Sequence, residues 1–260
     1  MKIYIMTDLE GPAMVSRFAQ TRDTADAPER KHEAMRLLTA EVNAAVDGIR
    51  DAEPEAEVVV WDGHGSGGID IMSFHPRAKL ITRGPIKPPY YLDASCDALF
   101  FVGQHAMAGT PNAPLCHTYS SKAFEYYKIN NRFVGEFGAR AMMAGTFGVP
   151  TVFIAGDDKA VAEARDLVPK IHGAAVKEGL GLELALHLSP QMARELIRRE
   201  AAAAVADIPN IPPVAVEPPF IQDIRVKEGH PVGGFLEKGA ERVDDRTVRL
   251  RSDNFCDLYV

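Results

Sequence analysis

The stretch Ile3-Tyr4-Ile5-Met6-Thr7-Asp8-Leu9-Glu10-Gly11 indicates both the architecture and the chemistry of this chain. A short apolar run that ends in two acidic residues predicts a buried strand, which places carboxylates at the carboxyl edge of a sheet. Asp8 and Glu10 are two positions apart, so on a regular strand they point to the same side. Two such carboxylates repel each other unless a cation or a proton lies between them. The ordinary alternative is a strand end with both acids in solvent.

Strand and helix patterns continue along the chain. Apolar residues at helical spacing predict a long helix over residues 28–52, closed by Pro54. Continuous apolar runs predict buried strands over residues 57–61, 98–102 and 151–155. Because a strand–helix–strand unit is parallel, the ends of the first two strands should meet on one edge. We therefore predict an α/β fold, a layered α/β/α arrangement with a mostly parallel central sheet and a smaller C-terminal α+β part.

Two segments between these strands have their own signals. Residues 123–129 alternate aromatic side chains ahead of Asn130-Asn131, which favours a hairpin turn. Val134-Gly135-Glu136 then opens a predicted helix. Prolines dominate residues 84–91, which we expect to form a surface loop, and a polar loop is expected over residues 11–25.

The pattern of apolar residues is less regular toward the C-terminus. Ser189-Pro190 is a typical capped helix start and predicts a helix over residues 190–207, followed by strands near residues 220–227 and 246–251. We therefore assign residues 1–188 to an α/β domain that carries the candidate site, and residues 189–260 to a smaller domain or an extension of the sheet.

The composition excludes several classes of partner. The 260 residues carry a net charge of −7, and 46% are hydrophobic and 25% charged, as in an ordinary soluble globular protein. No long basic run is present, so we expect neither nucleic acid nor a membrane as a partner. Cys96, Cys116 and Cys256 are too few and too scattered for a disulfide framework, which favours free thiols and a cytoplasmic location.

Potential metal ligands follow the predicted strands repeatedly. His64, His105 and the pair Asp157-Asp158 each come at a strand end, and Glu136 opens a helix close behind the hairpin. Parallel strands bring such ends to one edge of the sheet. Carboxylates and imidazoles without a pair of thiolates suit Zn²⁺ or Mn²⁺ in a catalytic site. Two metals that share a carboxylate would lie about 3.5–4 Å apart, and Asp8 on the central strand is the natural bridge.

Each candidate also has an ordinary interpretation. Residues 63–68 match the dinucleotide pattern G-x-G-x-x-G, but no helix pattern follows them. His105 could be a hydrogen-bonded core histidine, Glu136 a first-turn acid, and Asp157-Asp158 an N-cap pair. Cys116-His117 suggests a thiol nucleophile, although adjacent side chains point apart on an extended chain.

Six short motifs together resemble a known family, the D-aminopeptidases named for the dipeptide-transport operon, peptidase family M55. Each motif is weak alone, but all six occur in the family's order and spacing, and the resemblance covers about residues 1–190. The motifs are Asp8-Leu9-Glu10-Gly11, Asp62-Gly63-His64, Gly103-Gln104-His105-Ala106, Cys116-His117-Thr118, Asn131-Arg132-Phe133-Val134-Gly135-Glu136 and Ala155-Gly156-Asp157-Asp158.

The resemblance implies a binuclear aminopeptidase with two Zn²⁺ per subunit, with Mn²⁺ or Co²⁺ as alternatives, assembled as a homo-oligomeric, ring-stacked decamer. By the same resemblance, Asp8 bridges both metals, Glu10 and His64 complete one site, and His105 and Glu136 complete the other. His117 falls at the family's catalytic histidine. Asp157 and Asp158 would orient ligand histidines or hold the substrate's ammonium group.

The chain departs from the family pattern at three positions near the ligands. Met6 stands where the family has a serine, and Gly63 and Gly65 replace serines beside His64. We expect these changes to affect substrate preference and not metal binding.

The expected reaction is removal of the N-terminal residue from short peptides or aminoacyl amides, with a preference for D-amino acids. The alternatives are a metal-dependent amidase acting on non-peptide amides and a non-catalytic peptide-binding protein. The presence of all five ligands and His117 argues against the last.

Overall fold

The computed structural model describes residues 1–23, 27–82, 84 and 86–260. These residues form twelve strands: β1 (Lys2–Thr7), β2 (Glu57–Asp62), β3 (Lys79–Ile81), β4 (Ala98–Gln104), β5 (Phe124–Ile129), β6 (Arg132–Val134), β7 (Thr151–Asp157), β8 (His172–Gly181), β9 (Leu184–His187), β10 (Phe220–Val226), β11 (Glu241–Arg242) and β12 (Thr247–Ser252). Their α-helices are α1 (Pro28–Ala52), α2 (Glu136–Thr146), α3 (Asp158–Leu167), α4 (Pro190–Asp207) and the short α5 (Gly233–Leu236).

Seven strands form the central sheet, in the order β3-β2-β1-β4-β7-β8-β9. Every neighbouring pair is parallel except β8 and β9. Helix α1 packs on α4, and α2 packs on α3, and each pair also contacts strands of this sheet. The predicted α/β fold with a mostly parallel central sheet is therefore confirmed, and β1 lies in its interior between β2 and β4.

A second, antiparallel sheet has the order β11-β12-β10-β5-β6. Asn130 and Asn131 both have positive φ and connect β5 to β6, which confirms the predicted hairpin. This sheet combines β5 and β6 with strands from the C-terminal part, while α4 packs on α1 and on the central sheet. The division of the chain at residue 188 stays a prediction.

One glycine brings the ends of the two central strands together. Gly103, at the end of β4, has φ +80°, and a Cβ placed on it would lie 2.0 Å from the carbonyl oxygen of Asp8. The backbone nitrogen of Asp8 donates to Val102, and that of Gly11 donates to Gly103 at 2.7 Å. Only glycine permits both this backbone conformation and this approach, which places Asp8 directly beside the end of β4.

The proline-rich segment is not simply a surface loop, so that expectation is wrong in part. Tyr90 is buried and stacks on Trp61 with ring centroids 4.2 Å apart, and its hydroxyl donates to the carbonyl of Val260. Pro85 of this segment, and residues 24 and 25 of the predicted polar loop, lie outside the described residues.

The helix predicted from Val134 begins two residues later, at Glu136, because Gly135 is still extended and occupies the N-cap position. Within the described residues, no helix is both long and apolar enough to cross a membrane.

Candidate metal centre

Five side chains from four places in the chain meet at the carboxyl edge of the central sheet. Asp8 and Glu10 follow β1, His64 follows β2, His105 follows β4, and Glu136 is the first residue of α2. All except His64 are buried, and His64 is only slightly exposed. The structure therefore brings together all five residues that the sequence named as metal ligands.

His64 is fixed with one ring nitrogen directed at two carboxylates. Its Nε2 lies 2.9 Å from the carbonyl oxygen of Thr21, which can only accept, so Nε2 carries the hydrogen. Nδ1 then faces Asp8 Oδ1 at 3.1 Å and Glu10 Oε2 at 3.3 Å. Asp62 supports the loop behind this ring, since it accepts hydrogen bonds from the backbone nitrogens of Gly68 and Ile69. A backbone carbonyl on the far nitrogen is the usual arrangement of a metal-binding histidine.

His105 repeats this arrangement on the other side of Asp8. Its Nδ1 donates to the carbonyl oxygen of Ala106 at 2.9 Å. Its Nε2 faces Asp8 Oδ2 at 3.3 Å and Glu136 Oε1 at 3.5 Å, and has no hydrogen-bond partner among the described residues. The two oxygens of Asp8 thus face two different histidines, which is the geometry that a bridging carboxylate requires.

The charges of this cluster favour a bound cation. Burial opposes a charge on His64, but Glu10 and Asp8 outweigh it and raise the pKa of His64 to about 11. Burial also opposes the charge on Asp8, yet the facing rings of His105 and His64 hold the pKa of Asp8 well below its usual range. The cluster therefore favours positive charge between its carboxylates, and a bound divalent metal would supply that charge with the histidines neutral.

Glu136 is held in place by two groups. Its Oε1 accepts from the backbone nitrogen of Tyr119 at 2.8 Å, and its Oε2 lies 3.2 Å from Arg140 Nη1, one helical turn later. Burial and the charge of Asp8 oppose ionisation, but Arg140 and His105 outweigh them and lower the pKa of Glu136 to about 2. Glu136 is therefore an ionised carboxylate with one oxygen directed at His105.

His117 lies next to the five ligands without replacing any of them. Its Nδ1 donates to the carbonyl oxygen of Leu115 at 2.7 Å, which leaves Nε2 free to accept a proton. Burial, followed by the nearby His105, lowers the pKa of His117. A ligand atom of His117 also lies within 4.8 Å of those of His105 and Glu136, a proximity that the sequence did not predict.

The structure supports a capping role for Asp157, the alternative that the sequence left open. Its Oδ1 accepts from the backbone nitrogens of Lys159 and Ala160 at the start of α3. Asp158 accepts from the backbone nitrogen of Gly179 and from Lys159 Nζ. That either carboxylate contacts substrate or a ligand histidine stays a prediction.

Two buried charged residues near the site were missed by the sequence interpretation. Lys177 Nζ, on β8, donates to the backbone carbonyls of Glu10, Pro12 and Val15, the segment that carries Glu10. Glu41, on α1, accepts from the backbone nitrogen of Ala13 in the same segment at 2.8 Å. In the sequence, the signal for Lys177 was its position directly after the apolar run 174–176, because a lysine is unusual in a buried strand.

Buried ligand atoms without hydrogen-bond partners indicate that this cluster suits metal ions. Glu10 Oε2 and His105 Nε2 are buried without a hydrogen-bond partner among the described residues, a costly arrangement unless another group binds them. The atoms offered by Asp8, Glu10 and His64 lie within 4.8 Å of one another. Carboxylate oxygens with imidazole nitrogens are the ligands of catalytic zinc.

An open cavity of about 330 Å³ leads from this cluster to the surface. Asp8, Glu10, His64, His117 and Glu136 lie along its wall. The cluster is therefore accessible to a small substrate, as a catalytic site requires and a purely structural metal site does not.

Comparisons with known proteins cover the full length of the chain. A family model described as D-aminopeptidase, Peptidase M55, matches residues 1–260, which extends the resemblance beyond residue 190. A D-aminopeptidase of Bacillus subtilis (strain 168) is 33% identical over 267 residues, covering 100% of this chain and 94% of that protein.

A solved structure matches as well. The Zn-dependent D-aminopeptidase DppA from Bacillus subtilis, described as a self-compartmentalizing protease, superposes with a TM-score of 0.91 at 27% identity. The match covers 99% of this chain and 93% of that one.

Proposed function

This chain belongs to the peptidase M55 family of D-aminopeptidases, and from that membership and the site geometry we propose that it is a binuclear zinc enzyme. It is a metallo-aminopeptidase, a hydrolase of peptide bonds. In the proposed reaction it removes the N-terminal residue from short peptides or aminoacyl amides, with a preference for D-amino acids. The observation that carries the proposal is that the two oxygens of Asp8 face two histidines, His64 and His105.

Two ligand sets share Asp8 in this proposal. Asp8, Glu10 and His64 would hold one Zn²⁺, and Asp8, His105 and Glu136 the other, with Mn²⁺ or Co²⁺ as alternatives in the same oxygen and nitrogen ligands. Bound zinc supplies a Lewis acid for the scissile carbonyl and lowers the pKa of water toward about 7.

The chain's own residues contribute orientation and proton transfer. His117 keeps Nδ1 on the carbonyl of Leu115, so its free Nε2 can take up a proton and deliver it to the leaving amine. The rings of Phe18 and His117 pack edge to face, with centroids 6.1 Å apart, which helps to fix the orientation of the imidazole. Arg140 fixes the orientation of Glu136 through their ion pair.

The departures from the family pattern bear on substrate preference. Met6 is buried in β1, away from the cavity wall. Gly63 and Gly65 line the cavity. A Cβ on Gly65 would meet nothing within 4 Å, whereas one on Gly63 would lie 2.7 Å from the carbonyl oxygen of Thr7. A serine could be accommodated at residue 65 but not at residue 63 without a backbone shift, so Gly65 is where we expect a gain of space for substrate.

The proposal is tested by metal analysis of the purified protein and by a panel of D- and L-aminoacyl amides, dipeptides and non-peptide amides. We expect two zinc ions per subunit and hydrolysis that stops on chelation and returns with zinc. Hydrolysis of non-peptide amides alone would favour the metal-dependent amidase instead. A zinc-loaded protein that hydrolyses nothing in the panel would indicate a non-catalytic peptide-binding protein.

We also propose that the protein is a homo-oligomer, a decamer by the family resemblance. Four leucines are exposed on the β8–β9 hairpin at one edge of the central sheet, with 50–63% of each residue accessible: Leu180, Leu182, Leu184 and Leu186. An exposed apolar sheet edge is typical of an interaction surface.

The relative DppA is described as self-compartmentalizing, which supports assembly of this chain as well. Light scattering should show a large assembly that the double change Leu184→Glu and Leu186→Glu dissociates. Met72→Glu, at another exposed apolar residue, should leave it intact.

A further inference from the structure

We propose that Arg22 binds the C-terminal carboxylate of a short peptide and so selects substrates with a free C-terminus. The inference rests on the proposed aminopeptidase function and adds to it a residue that determines specificity. Arg22 lies in the wall of the same cavity as Asp8, Glu10 and His64. A peptide whose amino end is at the metal ligands would therefore have its carboxyl end within the same cavity.

The guanidinium of Arg22 is oriented before any substrate binds. Its Nη2 donates to Ser121 Oγ at 2.7 Å, and its central carbon lies 4.2 Å from the centroid of the Phe18 ring. These two contacts fix its plane and use only one of its five N–H donors. Among the described residues, no carboxylate pairs with it. A planar guanidinium with free donors is the group best suited to bind a carboxylate through two hydrogen bonds.

The wall of the cavity carries charges of both signs. Its acidic residues are Asp8, Glu10 and Glu136, all proposed metal ligands. Its cationic residues are Arg22, the exposed Lys122 and Arg140, of which Arg140 is paired with Glu136. Arg22 and Lys122 are therefore the cations of this wall that no carboxylate of the wall pairs with, and they would attract an anionic group on a substrate.

The size of the cavity is consistent with a short peptide. Its volume of about 330 Å³ is at the lower end of the range of small-molecule sites. Two extended residues span only about 7 Å. A cavity of this volume therefore suits a substrate of only a few residues.

The test compares a dialanine with its C-terminal carboxamide, in the D and L series, as substrates of the zinc-loaded enzyme. We expect the wild type to favour the free acid. Arg22→Gln should lower kcat/KM for the acid about 10- to 100-fold, mainly through KM, because a charge-assisted hydrogen bond is lost. It should change kcat/KM for the carboxamide by less than about threefold. Arg17 lies in the same loop but not in the cavity wall. Arg17→Gln removes the same charge and should change kcat/KM for neither substrate.

A binding measurement distinguishes failure of this inference from failure of the proposed function. A dialanine analogue with a methylene in place of the peptide carbonyl cannot be hydrolysed, and its acid and carboxamide forms can be compared by calorimetry. Binding of the acid that weakens only in Arg22→Gln would support the inference even if no peptide were hydrolysed. Two results would overturn the inference. One is an equal loss of affinity for the acid and the carboxamide in Arg22→Gln, and the other is an equal loss of affinity for the acid in Arg17→Gln.

Discussion

The imidazole rings of His105 and His117 are stacked, with centroids 4.1 Å apart and planes 11° from parallel. Each ring donates from Nδ1 to a backbone carbonyl, that of Ala106 for His105 and that of Leu115 for His117. A metal binds an imidazole close to the ring plane at about 2.0–2.1 Å. Two stacked rings cannot both bind one ion in this way, so in the proposed site His105 binds metal and His117 is left available for proton transfer.

His117→Ala should keep both zinc ions and lose most turnover. Removing a positioned proton carrier lowers kcat by about 10²- to 10⁴-fold. Zinc content by elemental analysis and kcat on a dipeptide measure the two effects separately. His230→Ala, at an exposed histidine, is the matched control and should leave both unchanged. Loss of one zinc equivalent in His117→Ala would show that His117 is itself a metal ligand. A kcat near that of the wild type would show that His117 has no part in catalysis.

Asp8→Ala should lose both metals, whereas Glu10→Ala should lose chiefly one. Asp8 faces both histidines, but the Glu10 carboxylate contacts only His64. Zinc per subunit, measured after dialysis against buffer with trace zinc, should fall from two toward zero in the first variant and toward one in the second. The shared role of Asp8 is wrong if Asp8→Ala retains one tightly bound zinc.

Lys177→Met should weaken zinc binding at the Glu10 and His64 site as well as the fold. The change leaves three backbone carbonyls of the Glu10 segment without their donor, at a cost of about 1–3 kcal/mol for each group that water does not reach. Chelator competition and chemical unfolding measure the two effects. Lys159→Met, at a lysine paired with Asp158 near the surface, is the control and should change zinc affinity little. Unaltered zinc affinity in Lys177→Met would show that the segment is held by other contacts.

Glu41→Gln should become more stable relative to the wild type as the pH rises. Burial, only partly offset by the hydrogen bond from Ala13 and the charge of Lys177, raises the pKa of Glu41 from 4.5 to about 8. Between these two values the folded state binds more protons than the unfolded state, so Glu41 lowers stability as pH increases. The difference between variant and wild type should grow by at most about 1.4 kcal/mol per pH unit.

Urea unfolding at pH 5, 6 and 7 measures this difference, and Glu55→Gln, at an exposed acid, is the control. The glutamine keeps an acceptor for the backbone nitrogen of Ala13, so a loss of hydrogen bonding does not obscure the result. A difference that does not vary with pH would mean that Glu41 ionises normally in the folded state.

The sequence was most informative where local patterns carry the information. Strands β2, β4 and β7 were predicted from apolar runs, and the β5–β6 hairpin from Asn130-Asn131. Other features required long-range contacts. The burial of Tyr90 depends on Trp61 and on the chain end at Val260, and no local pattern specifies that contact.

The order of residues alone predicts an α/β sheet with carboxylates and imidazoles at its strand ends. Hydrophobic periodicity is a local property, and parallel strands bring their carboxyl ends to one edge. Folding adds what no local pattern contains: which oxygen of Asp8 faces which histidine, the stacking of His117 on His105, and the burial of Lys177 beneath Glu10. The residues in that last contact are 167 positions apart. Such contacts depend on how the strands and their connecting segments pack, since side-chain direction and burial are set by neighbours that are distant in the chain.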